Sequence, residues 1–335
     1  MDARMFRAMC AAALLLAYVV VVLGAYTRLS DAGLGCPDWP GCYGRIIVPE
    51  AEDAGHANAL YPERPLHQGK AWKEMIHRYA AGTLGLLILG LAILAWRKRK
   101  VPDQPFVLPL LLLGLVLFQA ALGMWTVTWL LKPIVVAAHL LGGLAVLSLL
   151  SWLLLDQFRF APLQSMKPLK AWALAGLSVL VLQIFLGGWT SANYAALVCP
   201  EFPACRGGAW WPEADFREGF RFWRGIGTNY EYGVLGPAAR TAIHLAHRLG
   251  ALITAIVIGV VALRAVRAAD GHTVLIGVVT LTLLGAQIAL GIGNVLLVLP
   301  LAVAVAHNAT AALLLLALVA LCHRAASSRS RGPVV

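Results

Sequence analysis

The chain has 335 residues, of which 60% are hydrophobic and only 13% are charged, whereas soluble domains carry about 25% charged residues. This composition excludes an ordinary soluble globular domain and indicates an integral membrane protein. The formal net charge of +11 would suggest a nucleic-acid partner in a soluble protein. Here we assign the basic residues to the cytoplasmic ends of membrane helices, so no nucleic acid is expected as a partner.

Eight segments are long and apolar enough to cross a bilayer, since a helical span needs about 20 mostly apolar residues. The predicted fold class is therefore all-α integral membrane. A basic run, RKRK, follows the second span and places that connection in the cytoplasm by the positive-inside rule. An even number of spans then puts both termini there. The predicted spans are residues 8–26, 77–95, 106–126, 134–155, 171–190, 243–263, 273–292 and 301–321.

The two halves of the sequence repeat one another in ordered matches. Residues 24–44 read GAYTRLSDAGLGCPDWPGCYG, and residues 187–207 read GGWTSANYAALVCPEFPACRG. These segments share Gly, Thr, both Cys, both Pro and the final Gly at a constant offset. Two further motif pairs follow in the same order along both halves: EMIHR with HLAHR (74–78 and 244–248) and QAALG with QIALG (119–123 and 287–291).

Each half contains four predicted helices, an even number, so the two halves keep the same orientation in the membrane. We therefore predict two four-helix bundles that are parallel repeats, related by an axis along the membrane normal. The N-terminal bundle would comprise residues 1–160 with the first long outer loop. The C-terminal bundle would comprise residues 161–335 with the second.

Four histidines lie inside the predicted spans, one on every second helix, near the outer face: His77, His139, His247 and His307. An ionisable group inside a bilayer is costly and is by default a functional hypothesis. Imidazole is a good axial ligand for heme iron, and facing helices can place one imidazole on each side of a flat ring. We predict two heme sites with these histidines as iron ligands. The alternative is helix–helix hydrogen bonding.

Charged residues accompany the histidines. Arg78 and Arg248 directly follow the first histidine of each half, and they could pair with heme propionates or extend to the membrane interface. Glu74 lies one helical turn before His77, and its repeat partner is His244 rather than an acid. This asymmetry suggests unlike roles for the two sites. The alternative for Glu74 is an ordinary interfacial carboxylate.

The long outer loops each contain a close pair of cysteines, Cys36 with Cys42 and Cys199 with Cys205. An oxidising exterior favours disulfides, so we predict one short disulfide within each loop. Two roles remain open for these pairs. They are either structural staples or a redox-active relay at the heme site.

The EMIHR stretch, the four helix histidines, the TRLSDAGLGCP segment and the twin cysteine pairs together resemble heme A synthase of the cysteine-containing bacterial type. The resemblance implies oxidation of the C8 methyl of heme O to a formyl group, which gives heme A. It implies that the substrate heme lies between His77 and His139 with Glu74 in the catalytic role. It also implies a resident heme b between His247 and His307.

The resemblance further implies a multi-pass protein of the bacterial inner membrane, with its heme sites toward the outer face and surrounded by lipid. Heme O synthase and cytochrome oxidase assembly would be its partners, with an electron donor that the sequence does not name; a homo-oligomer stays open. The family often has Thr and Ser where this chain has Ser30 and Ala32.

Two rival functions are a diheme b-type quinol-oxidising carrier and a non-catalytic heme chaperone. The asymmetry between Glu74 and His244 favours the enzyme.

Overall fold

The computed structural model describes residues 3–101, 104–158 and 167–326. Within these ranges eight helices are long and apolar enough to cross a membrane, which confirms the all-α membrane fold. We number the helices in chain order. The eight long helices are α1 (Ala3–Leu29), α3 (Gln68–Arg97), α4 (Val107–Thr128), α5 (Pro133–Leu155), α6 (Lys167–Ala192), α8 (Pro237–Val266), α9 (Gly271–Leu296) and α10 (Leu301–Ala326).

The two long loops contain the remaining short helices. The first long loop, residues 30–67, holds a 3-10 turn (Ala51–Asp53) and α2 (Ala54–Leu60). The second long loop, residues 193–236, holds α7 (Phe216–Gly219). Both loops are therefore folded onto the ends of the long helices.

Two of the long helices begin earlier than hydropathy predicts. α3 begins at Gln68 rather than at residue 77, and α8 begins at Pro237 rather than at residue 243. The polar residues of these first turns lower the local hydropathy, but most are good helix formers, and Pro is favoured at a first helical position. As a result His77 lies in the third turn of a continuous helix rather than at a helix end.

Contacts between the long helices follow the same order in both halves. Helices α1, α3, α4 and α5 form a closed ring in which each contacts the next, and α6, α8, α9 and α10 form a second such ring. The rings meet where α10 contacts α1 and α5, and where α5 contacts α6. In each ring the two helices that carry histidines, α3 with α5 or α8 with α10, lie diagonally opposite. The relation of the rings by an axis along the membrane normal stays a prediction, and the predicted boundary at residues 160 and 161 lies outside the described ranges.

Local backbone features recur at the repeat offsets. Left-handed φ angles occur at Asp31 and at its repeat partner Tyr194 (50° and 51°). The same holds at the turns that precede α5 and α10. Equivalent segments also contact each other, because Arg28 donates to the Ser191 carbonyl (2.7 Å) and to Tyr194 Oη (3.0 Å). In the turns that precede α5 and α10, the residues with left-handed φ angles are Leu130, Leu131, Val298 and Leu299.

The largest apolar core lies where the two rings meet, with fully buried leucines of α5 and α10 at its centre. Lipid is as apolar as leucine, so close van der Waals packing rather than exclusion from water holds such helices together. Small residues allow the closest approaches. Gly277 of α9 is the clearest case, because a Cβ placed on it would lie 2.8 Å from the Val266 backbone nitrogen and 3.0 Å from the Ala262 carbonyl oxygen of α8.

We expect Gly277→Val to destabilise the fold, because the added side chain must separate α9 from α8, at a cost of about 1–3 kcal/mol. Gly285→Val on the same helix is the matched control, since a Cβ there meets nothing within 4 Å. Thermal unfolding can be followed by the reaction of the buried thiols Cys10 and Cys322 with a fluorescent reagent. Equal unfolding temperatures for the two variants would contradict the assigned packing.

Candidate functional site

Each of the four helix histidines packs its imidazole against a glycine on the neighbouring helix of its ring. A side chain at Gly24, Gly187 or Gly291 would press on the imidazole, so the close approach limits both the helix spacing and the direction of the imidazole ring. The pairs, with the distance from an added glycine Cβ to the imidazole Cε1, are His77 with Gly24 (3.0 Å), His139 with Gly123 (3.4 Å), His247 with Gly187 (3.2 Å) and His307 with Gly291 (3.1 Å).

The structure places the four histidines in two pairs, one in each ring. His77 and His139 are near enough to interact electrostatically, and so are His247 and His307. Nδ1 is buried in three of the four and has no hydrogen-bond partner within the described ranges; these are His77, His139 and His307. Each ring therefore brings together two imidazoles, one from each of its two diagonal helices.

The donor set fits heme better than a bare metal ion. Among the described residues there is no group of three or more His, Cys, Asp and Glu side chains that could hold a metal ion. A site with two imidazoles suits a ligand that brings its other donor atoms with it, as an iron porphyrin does. The diagonal placement of the histidine helices also matches a flat ring held between two imidazoles.

Amide side chains distinguish the C-terminal pair of histidines. Gln183 Nε2 donates to the His247 carbonyl (3.0 Å) and lies 3.0 Å from His247 Nδ1. Gln287 Nε2 lies 3.1 Å from His307 Nε2. Both histidines of the C-terminal ring therefore have an amide neighbour that limits their rotation.

The N-terminal ring lacks the same arrangement. Val20 occupies the position that Gln183 has in the repeat, so His77 has no amide at that place. Gln119 is the repeat partner of Gln287, but within the described ranges neither of its buried amide atoms has a hydrogen-bond partner. Within the described ranges, His77 and His139 thus have no side-chain amide partner like those of the C-terminal pair.

Glu74 joins the first long loop to α3 beside His77. Its side chain is buried, Oε2 accepts a hydrogen bond from the Cys36 N–H (2.9 Å), and Oε1 forms an ion pair with Arg78 Nη2 (2.5 Å). His77 lies one turn further along the same helix. The carboxylate is therefore held in place by partners on both sides, close to the first histidine pair.

Arg78 and Arg248 hold the two cysteine loops against their helices. Arg78 Nη1 donates to carbonyls of the first loop, the nearest being Gly41 at 2.5 Å and Asp38 at 3.0 Å. Arg248 does the same in the second loop, with Nη2 donating to Glu201 (2.8 Å) and Cys199 (2.9 Å) and Nη1 to Ala204 (2.9 Å). The predicted pairing of both arginines with heme propionates stays a prediction, and these loop carbonyls compete for the same N–H groups.

His244 takes the place of Glu74 in the C-terminal half. It is buried, and its Nε2 accepts a hydrogen bond from Arg248 Nε (3.1 Å). The ion pair of the first half is thus replaced by a hydrogen bond to an imidazole. The local scaffold is the same, but only the first half brings a carboxylate to it.

The cysteines pair within each loop, as predicted: Cys36 with Cys42 and Cys199 with Cys205. A carboxylate also closes the turn that follows each disulfide. Asp38 accepts hydrogen bonds from the N–H groups of Tyr43 and Gly44, and Glu201 accepts them from Gly207 and Gly208. The bonds from Gly208 and Gly207 keep the pKa of the Glu201 carboxyl below its usual range. The choice between a staple and a redox relay stays open.

Lys132, two turns before His139, has contacts that sequence reasoning did not predict. Its buried side chain donates to the Gly225 carbonyl of the second long loop, and its Nζ lies 3.2 Å from the centroid of the Trp223 ring. The Tyr230 N–H also donates to the Leu130 carbonyl (3.0 Å). The second long loop therefore covers the end of the N-terminal ring, above its histidine pair.

The fold and site define a class: an eight-span membrane protein with two histidine pairs, one in each four-helix ring, beside a disulfide-closed loop. Residues 7–319 match the COX15-CtaA family, described as cytochrome oxidase assembly protein. The chain therefore belongs to this family.

Several relatives of the chain carry one name, heme A synthase. The Shewanella oneidensis protein is 49% identical over 311 residues, which cover 90% of this chain and 91% of the relative. The Caulobacter sp. protein is 31% identical and covers 90% of each chain. The Rhizorhabdus wittichii protein is 30% identical, over 90% of this chain and 89% of its own.

We expect Arg78→Lys to loosen the first cysteine loop, because lysine cannot reach several carbonyls and Glu74 at once. Losing a charge-assisted hydrogen bond costs about 1.5–3 kcal/mol, so amide hydrogen exchange in residues 35–45 should rise about tenfold or more. Arg248→Lys is the matched variant and should affect residues 198–209 instead. Mass spectrometry of peptides from both variants measures this. If hydrogen exchange in either variant rises equally in the two loops, or in neither, the arginines do not hold the loops.

Proposed function

We propose that this chain is a heme A synthase that oxidises the C8 methyl of heme O to a formyl group and releases heme A. The observation that carries the proposal is the presence of two histidine pairs, one in each ring, in a chain of this family, with a buried carboxylate beside only one of them. Relatives named heme A synthase cover about nine tenths of the chain. Bound heme supplies the iron chemistry that oxidation of an otherwise inert ring methyl requires.

The two sites have different roles in this proposal. His247 and His307 would hold a resident heme b, and the Gln183 amide at His247 Nδ1 orients that imidazole with its Nε2 free for iron. His77 and His139 hold the substrate heme O. No side-chain amide of the described residues holds these two imidazoles, which suits a ligand that must enter and leave.

Glu74 is the group that we assign to catalysis. An ionised carboxylate in a low-dielectric site can stabilise positive charge that develops at the reacting carbon, or orient the water that attacks it. The Cys36 N–H and the Arg78 guanidinium hold this carboxylate in one place. His244 in the other half has no negative charge to offer, so only the N-terminal site is equipped for this step.

The orientation and partners follow from the same proposal. Basic residues end α3 and α8 at the faces away from the long loops, which supports cytoplasmic termini and histidine sites toward the outer face of the bacterial inner membrane. Heme O synthase would supply the substrate, and assembly of cytochrome oxidase would consume the product. The electron donor and the oligomeric state carry no assignment.

We predict that His247→Ala and His307→Ala each remove low-spin heme b from the purified protein, because each deletes one axial ligand of the resident site. His77→Ala is the matched control, since it alters the substrate site and should leave heme b in place. Absorption spectra of the reduced proteins measure the change. Heme b that persists in both C-terminal variants would refute the assignment of this site.

We predict that Glu74→Gln keeps heme b but lowers conversion of heme O to heme A by a factor on the order of 10²–10³, because the amide cannot stabilise positive charge. The conversion is measured in cells that express the variant, with heme b content as the folding control. His244→Gln, the equivalent change in the other half, should retain conversion.

Hydrogen exchange of residues 35–45 in the Glu74→Gln protein separates two causes of lost activity. Wild-type exchange with lost conversion supports a catalytic carboxylate. Fast exchange with lost conversion would mean that Glu74 acts by anchoring the loop. Near-normal heme A formation would remove Glu74 from the mechanism.

A further inference from the structure

Each cysteine loop forms a rigid projection that exposes apolar side chains. We call residues 36–47 and 199–211 the first and second disulfide knobs. Each is closed by its disulfide, by a carboxylate that accepts hydrogen bonds from two backbone N–H groups, and by an isolated β-bridge. Their exposed apolar side chains, with the exposed fraction of each, are Trp39 (40%), Ile46 (81%), Ile47 (61%), Phe202 (46%), Trp210 (67%) and Trp211 (61%).

The first knob lies beside α3 at the level of the membrane boundary. Tyr79 Oη donates to the Ile46 carbonyl (2.6 Å). Tyr79 is eighteen residues before Arg97, the last residue of α3, or about 27 Å at 1.5 Å per residue. The hydrocarbon layer is about 30 Å thick, and side chains of a helix tilt toward its N-terminus. Ile46 therefore lies where the hydrocarbon meets the lipid headgroups, not above the membrane.

The second knob lies at the same level beside α8. Arg248 binds carbonyls of this knob, including Glu201 and Ala204. Arg248 is sixteen residues before Arg264, in the last turn of α8, or about 24 Å away. With the length of the arginine side chain added, the second knob also lies at the boundary of the hydrocarbon layer.

The exposed surface of the first knob continues an exposed stripe of large hydrophobic and aromatic side chains on α3. Trp72, Ile76 and Tyr79 are spaced as one helix face, and they are 41%, 48% and 40% exposed. Tyr79 links this stripe directly to Ile46. Tryptophan and tyrosine are enriched where membranes meet water, and the second knob carries two adjacent tryptophans. This continuity and depth favour lipid over a soluble partner as the occupant of the surface.

We propose that both disulfide knobs are embedded in the interfacial region of the leaflet on the loop side, with Ile46, Ile47, Trp210 and Trp211 in contact with lipid. The disulfide and the arginine hydrogen bonds then hold each knob rigidly in the membrane interface beside a histidine pair. Lipid then covers the outer surface of both knobs. A hydrophobic ligand that reaches either site from the membrane passes next to them.

Nitroxide labels test the depth of both knobs in protein reconstituted into phospholipid vesicles. The labelled variants are Ile47→Cys and Trp210→Cys, with Cys10→Ala and Cys322→Ala in the background. Controls at exposed residues of the same loops are Glu63→Cys and Arg217→Cys. Arg217 lies on α7, which packs on the first turn of α8 through a hydrogen bond from the Asp215 N–H to the Ala238 carbonyl (3.0 Å), well above Arg248.

We expect the ratio of collisions with oxygen to collisions with a water-soluble nickel complex to be several-fold higher at residues 47 and 210 than at residues 63 and 217. Peptide mapping confirms in each variant that the four loop cysteines remain paired. Equal ratios at all four residues would overturn the proposal and leave the knobs as surfaces for a water-soluble partner.

A second measurement needs no added cysteine. The fluorescence of Trp210 and Trp211 is obtained as the difference between the wild-type protein and the double variant Trp210→Phe, Trp211→Phe. Lipids brominated near the headgroup should quench this difference signal. Quenching of this difference signal by aqueous iodide, and not by brominated lipid, would also overturn the proposal.

Discussion

The close approach between each helix histidine and a glycine on the adjacent helix governs both sites. Polar side chains are costly in hydrocarbon, and these imidazoles are held against the backbone of a neighbouring helix rather than left free. A Cβ at Gly24 or Gly187 would lie about 3 Å from an imidazole carbon, so no larger residue fits without moving a histidine. Because the histidine helices lie diagonally in each ring, these contacts hold one imidazole on each of two opposite helices, where the pair would serve as ligands of a heme iron.

The same scaffold occurs twice, and the differences between the copies separate their roles. The arginine that clamps the cysteine loop, the disulfide and the glycine contacts are present in both halves. Glu74 is replaced by His244, Val20 by Gln183 and Lys132 by Pro300. The N-terminal half thus gains a carboxylate and a covering loop, while the C-terminal half gains an amide against its histidine. Duplicated sites with unlike surroundings suit one reacting heme and one resident heme.

The sequence predicted the features that depend on composition and short spacing. Hydropathy located the eight spans, and six-residue spacing located both disulfides. Hydropathy missed the first turns of α3 and α8, because polar helix formers there do not resemble a membrane segment. The glycines of the repeat, Gly123 and Gly291, were visible in the QAALG and QIALG motifs, but their contact with histidines depends on helix crossing. Lys132 was missed because its partners lie some 90 residues away, in another loop.

The most direct test of the account is the identity of the porphyrins that the purified protein binds when it is produced in cells that make heme O. Organic extraction and mass analysis distinguish heme b, heme O, the form of heme O hydroxylated at the C8 methyl, and heme A. The account predicts heme b together with heme A or the hydroxylated form. Heme b alone, at two equivalents per chain, would contradict it and indicate a diheme electron carrier.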